Sequence, residues 1–517
     1  AQARAGYAPI ATIGRDGPLA LSFAQQRLWF IDRLEGGSAQ YNLPIALRLQ
    51  GKLDQAALQQ ALDALVARHE VLRTVYAEVD GVALQRIQAA APVAIAREDL
   101  RQLDAGLREQ QLQQRARDEA LRPFDLASDP MLRCRLLQLG ESDNALLFTM
   151  HHIASDGWSL GVLVQEFVAL YAGLVSGQAA QLPALPVQYA DYAAWQRERL
   201  QGARLQQHLD YWRTQLAGLP VLHGLPLDLP RPAQQCFDGG RIDVELDAPT
   251  LAAVTALARR QGASLFMLLQ AAFAVLLSRW SGETDIVIGT PIAGRLHPDV
   301  EPLIGFFINT LVLRTDLSGA PSFDAVLAQA KAAALAAYEH QEIPFEMLVD
   351  ELKPVRSLSH TPLVQVMLTL QNNAQSALEL PGLSLVPMTA RYEQLKFDLQ
   401  LVVAESAQGL RLSWIYAQSL FRAETIARMA QGFSQLLAQV AQQPQRRLDE
   451  LEWLDAAASR ALIAAGAGSV GTLQRHELLP LQFAAQAQRT PEAIALVSGS
   501  QQLSYRELDE KSDRLAR

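Results

Sequence analysis

Apolar residues recur every three or four positions in several long stretches, which predicts amphipathic helices that turn one face to a core. Other stretches alternate apolar and polar residues or are apolar throughout, which predicts strands of mixed burial. The predicted helices cover residues 22–34, 53–70, 159–174, 251–280, 323–340 and 423–441, with Ser22 and Asp54 as N-caps. The predicted strands cover residues 45–51, 72–79, 131–139, 144–152, 285–294, 306–317, 363–372, 396–406 and 410–417.

Helices and strands are mixed in both halves of the chain, on either side of a proline-rich stretch at residues 180–235. This order predicts two α/β sandwiches, a first lobe over residues 19–195 and a second over residues 196–455. Residues 1–18 are rich in Ala and Gly and are expected to be a linker from an upstream module. Residues 456–517 are expected to be a second linker and the truncated start of a further domain, too short to bury its own core.

The composition excludes several classes of protein. Half of the 517 residues are hydrophobic and 19% are charged, a balance typical of globular proteins. The net charge of −9 offers no basic stripe for a phosphate backbone, so no nucleic-acid partner is expected. The most apolar run, residues 265–277, is too short to span a bilayer, and no membrane partner is expected either. Cys134 and Cys236 are too few for a disulfide framework, which favours a reducing cytoplasmic setting.

The candidate chemistry lies in MHHIASDGWSL, where a predicted strand ends at His152 and a predicted helix follows Asp156 and Gly157. A loop between a strand and a helix is aimed by rigid elements and commonly carries catalytic groups. His151 and His152 could be metal ligands, buried structural imidazoles, or an acid–base site with one ring facing a cavity. Adjacent strand residues point to opposite faces, which disfavours the metal site, and no metal is expected.

HHIASDG resembles the HHxxxDG signature of condensation domains in nonribosomal peptide synthetases. Further motifs of that family follow in order over residues 18–455: SFAQQRLWF at 22–30, RHEVLRT at 68–74, YADYAAWQ at 189–196, IGTPIAGR at 288–295, IGFFINTLVLR at 304–314 and HQEIPFEMLVDEL at 340–352. Downstream, LSYRELDE at 503–510 resembles the first core motif of an adenylation domain. The resemblance implies an α/β fold of two chloramphenicol-acetyltransferase-like lobes, a pseudo-dimer with a tunnel at the lobe interface.

The resemblance also implies a reaction and its partners. A carrier-bound aminoacyl amine attacks a carrier-bound acyl or peptidyl thioester, and a peptide bond forms. The implied partners are an upstream donor and a downstream acceptor peptidyl carrier domain, and the adjoining adenylation domain. No cofactor is expected to bind the chain directly, because the carrier domains carry the phosphopantetheine. Two alternatives stay open: an N-acylating starter domain that uses a fatty-acyl donor, and a catalytically silent carrier-recruitment module.

Roles for individual residues follow from the same resemblance. His152 is expected to position the amine and stabilise the tetrahedral intermediate, with proton removal secondary. His151 is expected to support the loop, and Gly157 to allow a tight turn and offer its N–H to the oxyanion. Asp156 is expected to form a structural ion pair with Arg295. The residues expected to line the tunnel are Asn309, Trp158 and Ser159.

Related activities in the same superfamily have different motifs. An epimerization domain would carry a glutamate motif that the chain lacks, and a heterocyclization domain would carry aspartates in place of His151 and His152. A dual epimerizing condensation domain would add an earlier histidine pair, and none precedes His151. The sequence therefore predicts a standard condensation domain.

Overall fold

The computed structural model describes residues 8–178, 180–355, 357–371, 379–380, 382–388, 393–406, 409–452, 456–467 and 478–516. The chain divides into a large unit, residues 1–453, and a small one, residues 454–517. Two main sheets covered by helices form two lobes within the large unit. The two-lobed α/β fold that the sequence predicts is therefore confirmed.

The first half of the chain contains the strands and helices that the hydrophobic pattern predicts, and also strands at residues 19–20, 82–87 and 95–99 and helices at residues 105–121, 189–199 and 202–215 that it does not predict. The strands are β1 (Leu19–Ala20), β2 (Asn42–Gly51), β3 (Thr74–Val79), β4 (Val82–Ile87), β5 (Ile95–Asp99), β6 (Leu132–Gln138) and β7 (Asp143–His151). The helices are α1 (Phe23–Glu35), α2 (Gln55–Arg68), α3 (Ala105–Leu121), α4 (Gly157–Ser176), α5 (Tyr189–Arg199) and α6 (Gly202–Gln215). The side chains of Ser22, Asp54 and Asp156 accept N–H groups at the starts of α1, α2 and α4, as N-caps do.

The second half of the chain contains more strands than the pattern predicts. These strands are β8 (Asp238–Asp247), β9 (Asp285–Ile292), β10 (Asn309–Asp316), β11 (Val366–Gln371), β12 (Glu379–Leu380), β13 (Leu383–Pro387), β14 (Glu393–Gln394), β15 (Leu399–Ser406), β16 (Gly409–Ala417), β17 (Ile494–Ser498) and β18 (Gln501–Ser504). The helices are α7 (Ala248–Arg260), α8 (Leu265–Ser281), α9 (Phe323–Glu339), α10 (Phe345–Leu352), α11 (Ala423–Gln442), α12 (Ala456–Gly466), α13 (Leu479–Arg489) and α14 (Tyr505–Ala516).

The first lobe is built on a six-stranded sheet in the order β12-β13-β2-β7-β6-β5. Its outer strands β12 and β13 come from the second half of the chain, and β13 pairs antiparallel with β2. The predicted lobe boundary at residues 195 and 196 is therefore wrong for this sheet, because a much later segment completes it. β13 has five residues, too few for its alternation to stand out from the sequence.

The segment before β1 belongs to the first lobe over its described part. Ile10 lies in the core of that lobe. Arg15 pairs with Glu70 and with the fully buried carboxylate of Asp191. The linker predicted over residues 1–18 is therefore wrong for residues 10–15, while residues 1–7 lie outside the described residues.

The second lobe is built on a seven-stranded sheet in the order β10-β9-β11-β15-β16-β8-β14. Helix α8 lies in its core, with every residue from Met267 to Leu277 buried. The hydrophobic pattern runs without interruption over residues 251–280, but the structure breaks it into α7 and α8. Gly262 lies at the break with a φ of +59°, a left-handed conformation that ends a helix at little cost for glycine.

Helix α4 has the length and hydropathy of a membrane span, and α7 with α8 would pass the same test as one span bent by 104°. The sequence pattern points instead to residues 265–277, which are part of α8. In the structure, α4 places Leu163, Phe167 and Tyr171 in the core of the first lobe. Its acidic residue Glu166 is ion-paired with Arg68. These contacts within the lobe are those of a core helix, whose buried face is apolar.

The small unit consists of α12, α13, the hairpin β17–β18 and α14. Among its described residues, Ala487 is the buried apolar side chain, whereas Leu479, Ile494 and Leu515 are exposed. A folded domain of ordinary size buries far more of its apolar surface. This segment does not form a core of its own.

Candidate active site

The two histidines of the HHIASDG loop point to different environments, as strand alternation predicts. His151 ends β7 and is buried, with its ring against Tyr41 and Phe124 at centroid distances of 6.3 and 5.7 Å. Its Nδ1 accepts the N–H of Ile153 at 3.2 Å. Burial and the neighbouring His152 lower the pKa of His151, so the ring is neutral and serves the packing of the loop.

His152 begins a single 3-10 turn, and its ring is half-buried. Its Nδ1 lies 2.8 Å from the carbonyl oxygen of Ser155, which can only accept, so Nδ1 carries the proton and donates it. This tautomer leaves a lone pair on Nε2. Within the part of the chain that the structure describes, no protein group hydrogen-bonds to that Nε2. The ring therefore presents an unoccupied hydrogen-bond acceptor.

The charges around His152 favour its neutral form. Burial lowers the pKa of His152 most, and the Lys396 ammonium lowers it further. Asp156 and the Ser155 carbonyl act in the opposite direction and are outweighed. Lys396 lies 3.5 Å from the centre of the Tyr41 ring, and the Tyr41 carbonyl accepts the backbone N–H of His152 at 2.7 Å.

Asp156 caps α4 and also fixes a segment of the second half of the chain. Its Oδ1 accepts the N–H and the hydroxyl of Ser159 at 2.8 and 2.7 Å. Its Oδ2 accepts the N–H of Phe307 at 3.0 Å. Phe307 belongs to residues 300–307, which we call the crossing segment because several of its apolar side chains lie in the core of the first lobe. Asp156 thus joins the histidine loop to the crossing segment.

Arg295 follows β9 and lies against Asp156, as expected. Its Nη2 is 3.4 Å from Asp156 Oδ1 and donates to the Ser159 hydroxyl at 2.8 Å. Its Nη1 donates to the carbonyl of Leu303 at 2.8 Å and also to that of Val300. The two charged side chains are only 3% and 2% exposed, so this is a buried ion pair with most of its hydrogen-bonding capacity used.

The three residues expected to line the tunnel have different surroundings. Ser159 is fully buried, and its hydroxyl oxygen accepts the N–H of Gly305 at 3.0 Å, so it bridges elements inside the fold and does not line a channel. Trp158 is 41% exposed, and its Nε1 donates to the carbonyl of Glu301 at 3.1 Å. Asn309 lines a cleft, but its amide N–H groups donate to the carbonyls of Gln341 and Ile343, and its amide oxygen accepts the N–H of Phe345 at the start of α10.

Gly157 begins α4 and is exposed. Its φ is not in the left-handed region, and a Cβ added there would meet nothing within 4 Å. The expectation that glycine is needed for a tight turn is therefore wrong. What glycine provides at this position is open space beside the first turn of α4, where backbone N–H groups have no partner within the helix.

A cleft of about 530 Å³ lies between the two lobes. Its walls come from α1, α5, the segment after β9, the crossing segment and the turn before α10. Phe306 forms part of this wall and also meets the ring of His152 edge to face, with centroids 4.9 Å apart. His152 itself is not among the lining residues. The cleft therefore ends at Phe306, one ring away from the imidazole.

Metal ligation has no support from the geometry of these residues. In the described ranges, no three or more His, Cys, Asp or Glu side chains are grouped as metal ligands. The rings of His151 and His152 point in different directions. The carboxylate of Asp156 already accepts hydrogen bonds from the N–H groups of Ser159 and Phe307.

The motifs, the two lobes and the histidine loop can be compared with known protein families. The family model described as "Condensation domain" matches residues 16–463. The chain belongs to the condensation domain family. A component of the linear gramicidin synthase of Brevibacillus parabrevis is 44% identical to this condensation domain over 510 residues, which are 98% of this chain and 10% of that protein. The chain spans about a tenth or less of the length of the first curated relatives that it matches.

Solved structures share the fold of this condensation domain. The X-domain from teicoplanin biosynthesis has a TM-score of 0.78 at 33% identity, over 86% of this chain and all of that one. The four-domain nonribosomal peptide synthetase AB3403, bound to AMP and glycine, has a TM-score of 0.80 at 25% identity, over 95% of this chain and 38% of that one.

Sequence reasoning missed two residues near the imidazole of this condensation domain. Lys396 lies between β14 and β15, far from the histidine motif in sequence, and its ammonium lies on the ring of Tyr41, whose carbonyl accepts the backbone N–H of His152. Phe306 lies within the IGFFINT motif, where nothing in the sequence distinguishes it from the other apolar residues. Only the fold distinguishes it from Phe307, which is buried.

Proposed function

We propose that this condensation domain catalyses peptide-bond formation between two carrier-bound substrates. The acceptor amine attacks the thioester carbonyl of the donor, the C–S bond breaks, and the donor thiol leaves as the acyl chain moves to the acceptor nitrogen. The observation that carries the proposal is the free Nε2 of His152, which the Ser155 carbonyl fixes as a hydrogen-bond acceptor. An acceptor of this kind can hold the N–H of an incoming amine.

The amine requires positioning more than it requires deprotonation. An α-amino group has a pKa of roughly 7.7–8, so about a tenth of it is already neutral near pH 7. The thioester is an activated electrophile, and well-oriented reactants can gain more from proximity than from general-base help. His152 therefore acts first by orienting the amine and stabilising the charged intermediate. The N–H groups at the start of α4, beside Gly157, are the donors we propose for the oxyanion.

The partners belong to the same proposal. Phosphopantetheine arms of an upstream donor and a downstream acceptor carrier domain would deliver the substrates, so no resident cofactor is needed. Residues 503–510 resemble the first motif of an adenylation domain, and we propose that the small unit is the start of such a domain. The unpaired cysteines, Cys134 and Cys236, favour a cytoplasmic setting.

The chain mixed with donor-loaded and acceptor-loaded carrier domains is expected to yield a longer acyl chain on the acceptor arm, detected by intact-protein mass spectrometry. Omission of the donor carrier is the control. A product formed only from a fatty-acyl donor would assign the starter activity instead. Carrier binding without any product would favour a docking role. A protein of this fold that binds a partner is known, since a solved structure shows the X-domain of teicoplanin biosynthesis in complex with OxyB.

Lys396→Met is expected to move the acid limb of the pH–rate profile to higher pH. Loss of the ammonium removes a charge that lowers the pKa of His152, so the ring takes up a proton at a higher pH and loses its Nε2 lone pair earlier on acidification. Lys396→Arg keeps the charge and the contact with Tyr41 and should keep the limb in place. An unchanged limb in Lys396→Met would show that Lys396 does not act on the titrating group.

A further inference from the structure

The side chain of Phe306 lies between the cleft and the His152 ring. On one side is the cleft between the lobes, whose wall it shares with Tyr192, Trp195 and Ile308. On the other side is the His152 ring, which it contacts edge to face at 4.9 Å. Because His152 does not line the cleft, the Phe306 ring forms the partition between them.

The backbone on either side of this ring is fixed by hydrogen bonds. The carbonyl of Phe306 accepts the Tyr189 hydroxyl at 2.6 Å, and that hydroxyl is also 2.9 Å from the Ser22 Oγ. Before it, the N–H of Gly305 donates to the Ser159 hydroxyl at 3.0 Å. After it, the N–H of Phe307 donates to Asp156 Oδ2 at 3.0 Å. These partners are buried, so their loss would leave polar groups unsatisfied.

Side-chain packing restricts the same backbone. A Cβ on Gly305 would overlap the Tyr189 ring, which shows how closely this part of the crossing segment lies against α5. The Phe306 side chain is only partly buried, unlike that of Phe307. Rotation about the side-chain bonds of Phe306 is therefore the movement that costs least at this point of the chain.

We propose that Phe306 is a swinging gate, a side chain on a fixed backbone that must rotate before a substrate in the cleft can reach His152. Its consequence for catalysis rests on the function proposed above, since an arm lying in the cleft would push the ring aside as it brings its reacting end to the imidazole. The ring then closes behind or beside the substrate and excludes water from the thioester. Phe306 is thus a positioning residue, and the size of its side chain limits what can pass.

The gate can be measured without the condensation reaction. A reporter thiol is placed at the imidazole by His152→Cys, in a Cys236→Ser background that removes the partly exposed cysteine, while Cys134 stays buried. Iodoacetamide labels the thiol, and peptide mass spectrometry follows the rate. If the gate is open about a tenth of the time, its removal raises the rate on the order of tenfold.

Phe306→Ala is expected to raise the labelling rate at position 152, Phe306→Leu to raise it less, and Phe306→Trp to lower it. Leu296→Ala is the matched control, because Leu296 lines the same cleft and should leave the rate unchanged. Circular dichroism confirms that each variant is folded, and Phe306→Leu keeps the site apolar if the alanine variant is unstable. Equal rates for Phe306, Phe306→Leu and Phe306→Ala, or an equal rise in Leu296→Ala, would overturn the gate. Since labelling needs no carrier and no product, a failed gate and a failed condensation assay give different results.

Discussion

Replacement of His152 by alanine is expected to lower the rate of condensation by about 10²–10⁴-fold, the range typical of a positioned acid–base group. The expectation rests on Nε2, the one ring nitrogen that has no protein partner among the described residues. Without it, the amine loses the acceptor that orients it toward the thioester. Turnover is measured with donor-loaded and acceptor-loaded carriers, and KM and kcat are determined separately because loss of orientation in the transition state lowers kcat.

A second variant separates the imidazole's chemistry from its support of the loop. His152→Asn places an amide N–H near the position of Nδ1, where it can still donate to the Ser155 carbonyl, but has nothing in place of Nε2. We expect His152→Asn to be as slow as His152→Ala. His151→Asn keeps an acceptor for the N–H of Ile153 and is expected to lower thermal stability more than turnover, because it removes a ring packed on Phe124. Near-native turnover in His152→Ala would end the catalytic assignment, and activity retained only in His152→Asn would leave His152 a structural role.

Local sequence accounts for the features that depend on near neighbours. Ser22 and Asp54 are caps in the structure as predicted from the sequence, because a cap needs only the N–H groups of the next turn. Strand alternation predicts that His151 and His152 point to different environments, and they do, although the strand ends at His151 and His152 begins a 3-10 turn. The pairing of Asp156 with Arg295 follows from the family resemblance and not from spacing, since 139 positions separate the two residues.

Features that depend on distant pairing could not be predicted. β13 joins β2 across more than 300 residues, and nothing in its five residues indicates a partner. The contact of Lys396 with the Tyr41 ring likewise joins residues that lie 355 positions apart in the sequence. The burial of Ser159 could not be predicted for the same reason. Ser159 is expected to line a channel, but the crossing segment packs against α4 in the folded chain and places Gly305 within hydrogen-bond distance of the Ser159 hydroxyl.

The role of Gly157 also needed the fold. In sequence, a glycine after Asp156 suggests a special backbone conformation, but the backbone there is one that any residue can adopt. Replacement of Gly157 by alanine would therefore fill part of the open space beside this residue and would leave the backbone conformation unchanged. This space lies beside the first turn of α4, where the proposed oxyanion donors are.

Removal of either partner of the buried ion pair is expected to destabilise the large unit by about 3–5 kcal/mol, because the remaining charge stays buried without compensation. Asp156→Ala additionally removes the cap of α4, worth about 1 kcal/mol. Arg295→Ala removes the guanidinium that donates hydrogen bonds to the carbonyls of Val300 and Leu303. Guanidinium denaturation followed by circular dichroism gives the shift in the unfolding midpoint for each variant.

The double variant decides whether the two residues act as one unit. Asp156→Asn with Arg295→Met removes both charges while the amide can still cap α4, so its destabilisation should be smaller than the sum of the losses in Asp156→Asn alone and Arg295→Met alone. Losses that simply add would show that the side chains act separately, each through its own hydrogen bonds to Ser159 and the crossing segment. If the Asp156→Asn variant is as stable as the wild type but loses turnover, Asp156 takes part in the reaction and is not only a structural residue. Strong coupling would instead show that the histidine loop is held in place from the second half of the chain, through a charge pair that water hardly reaches.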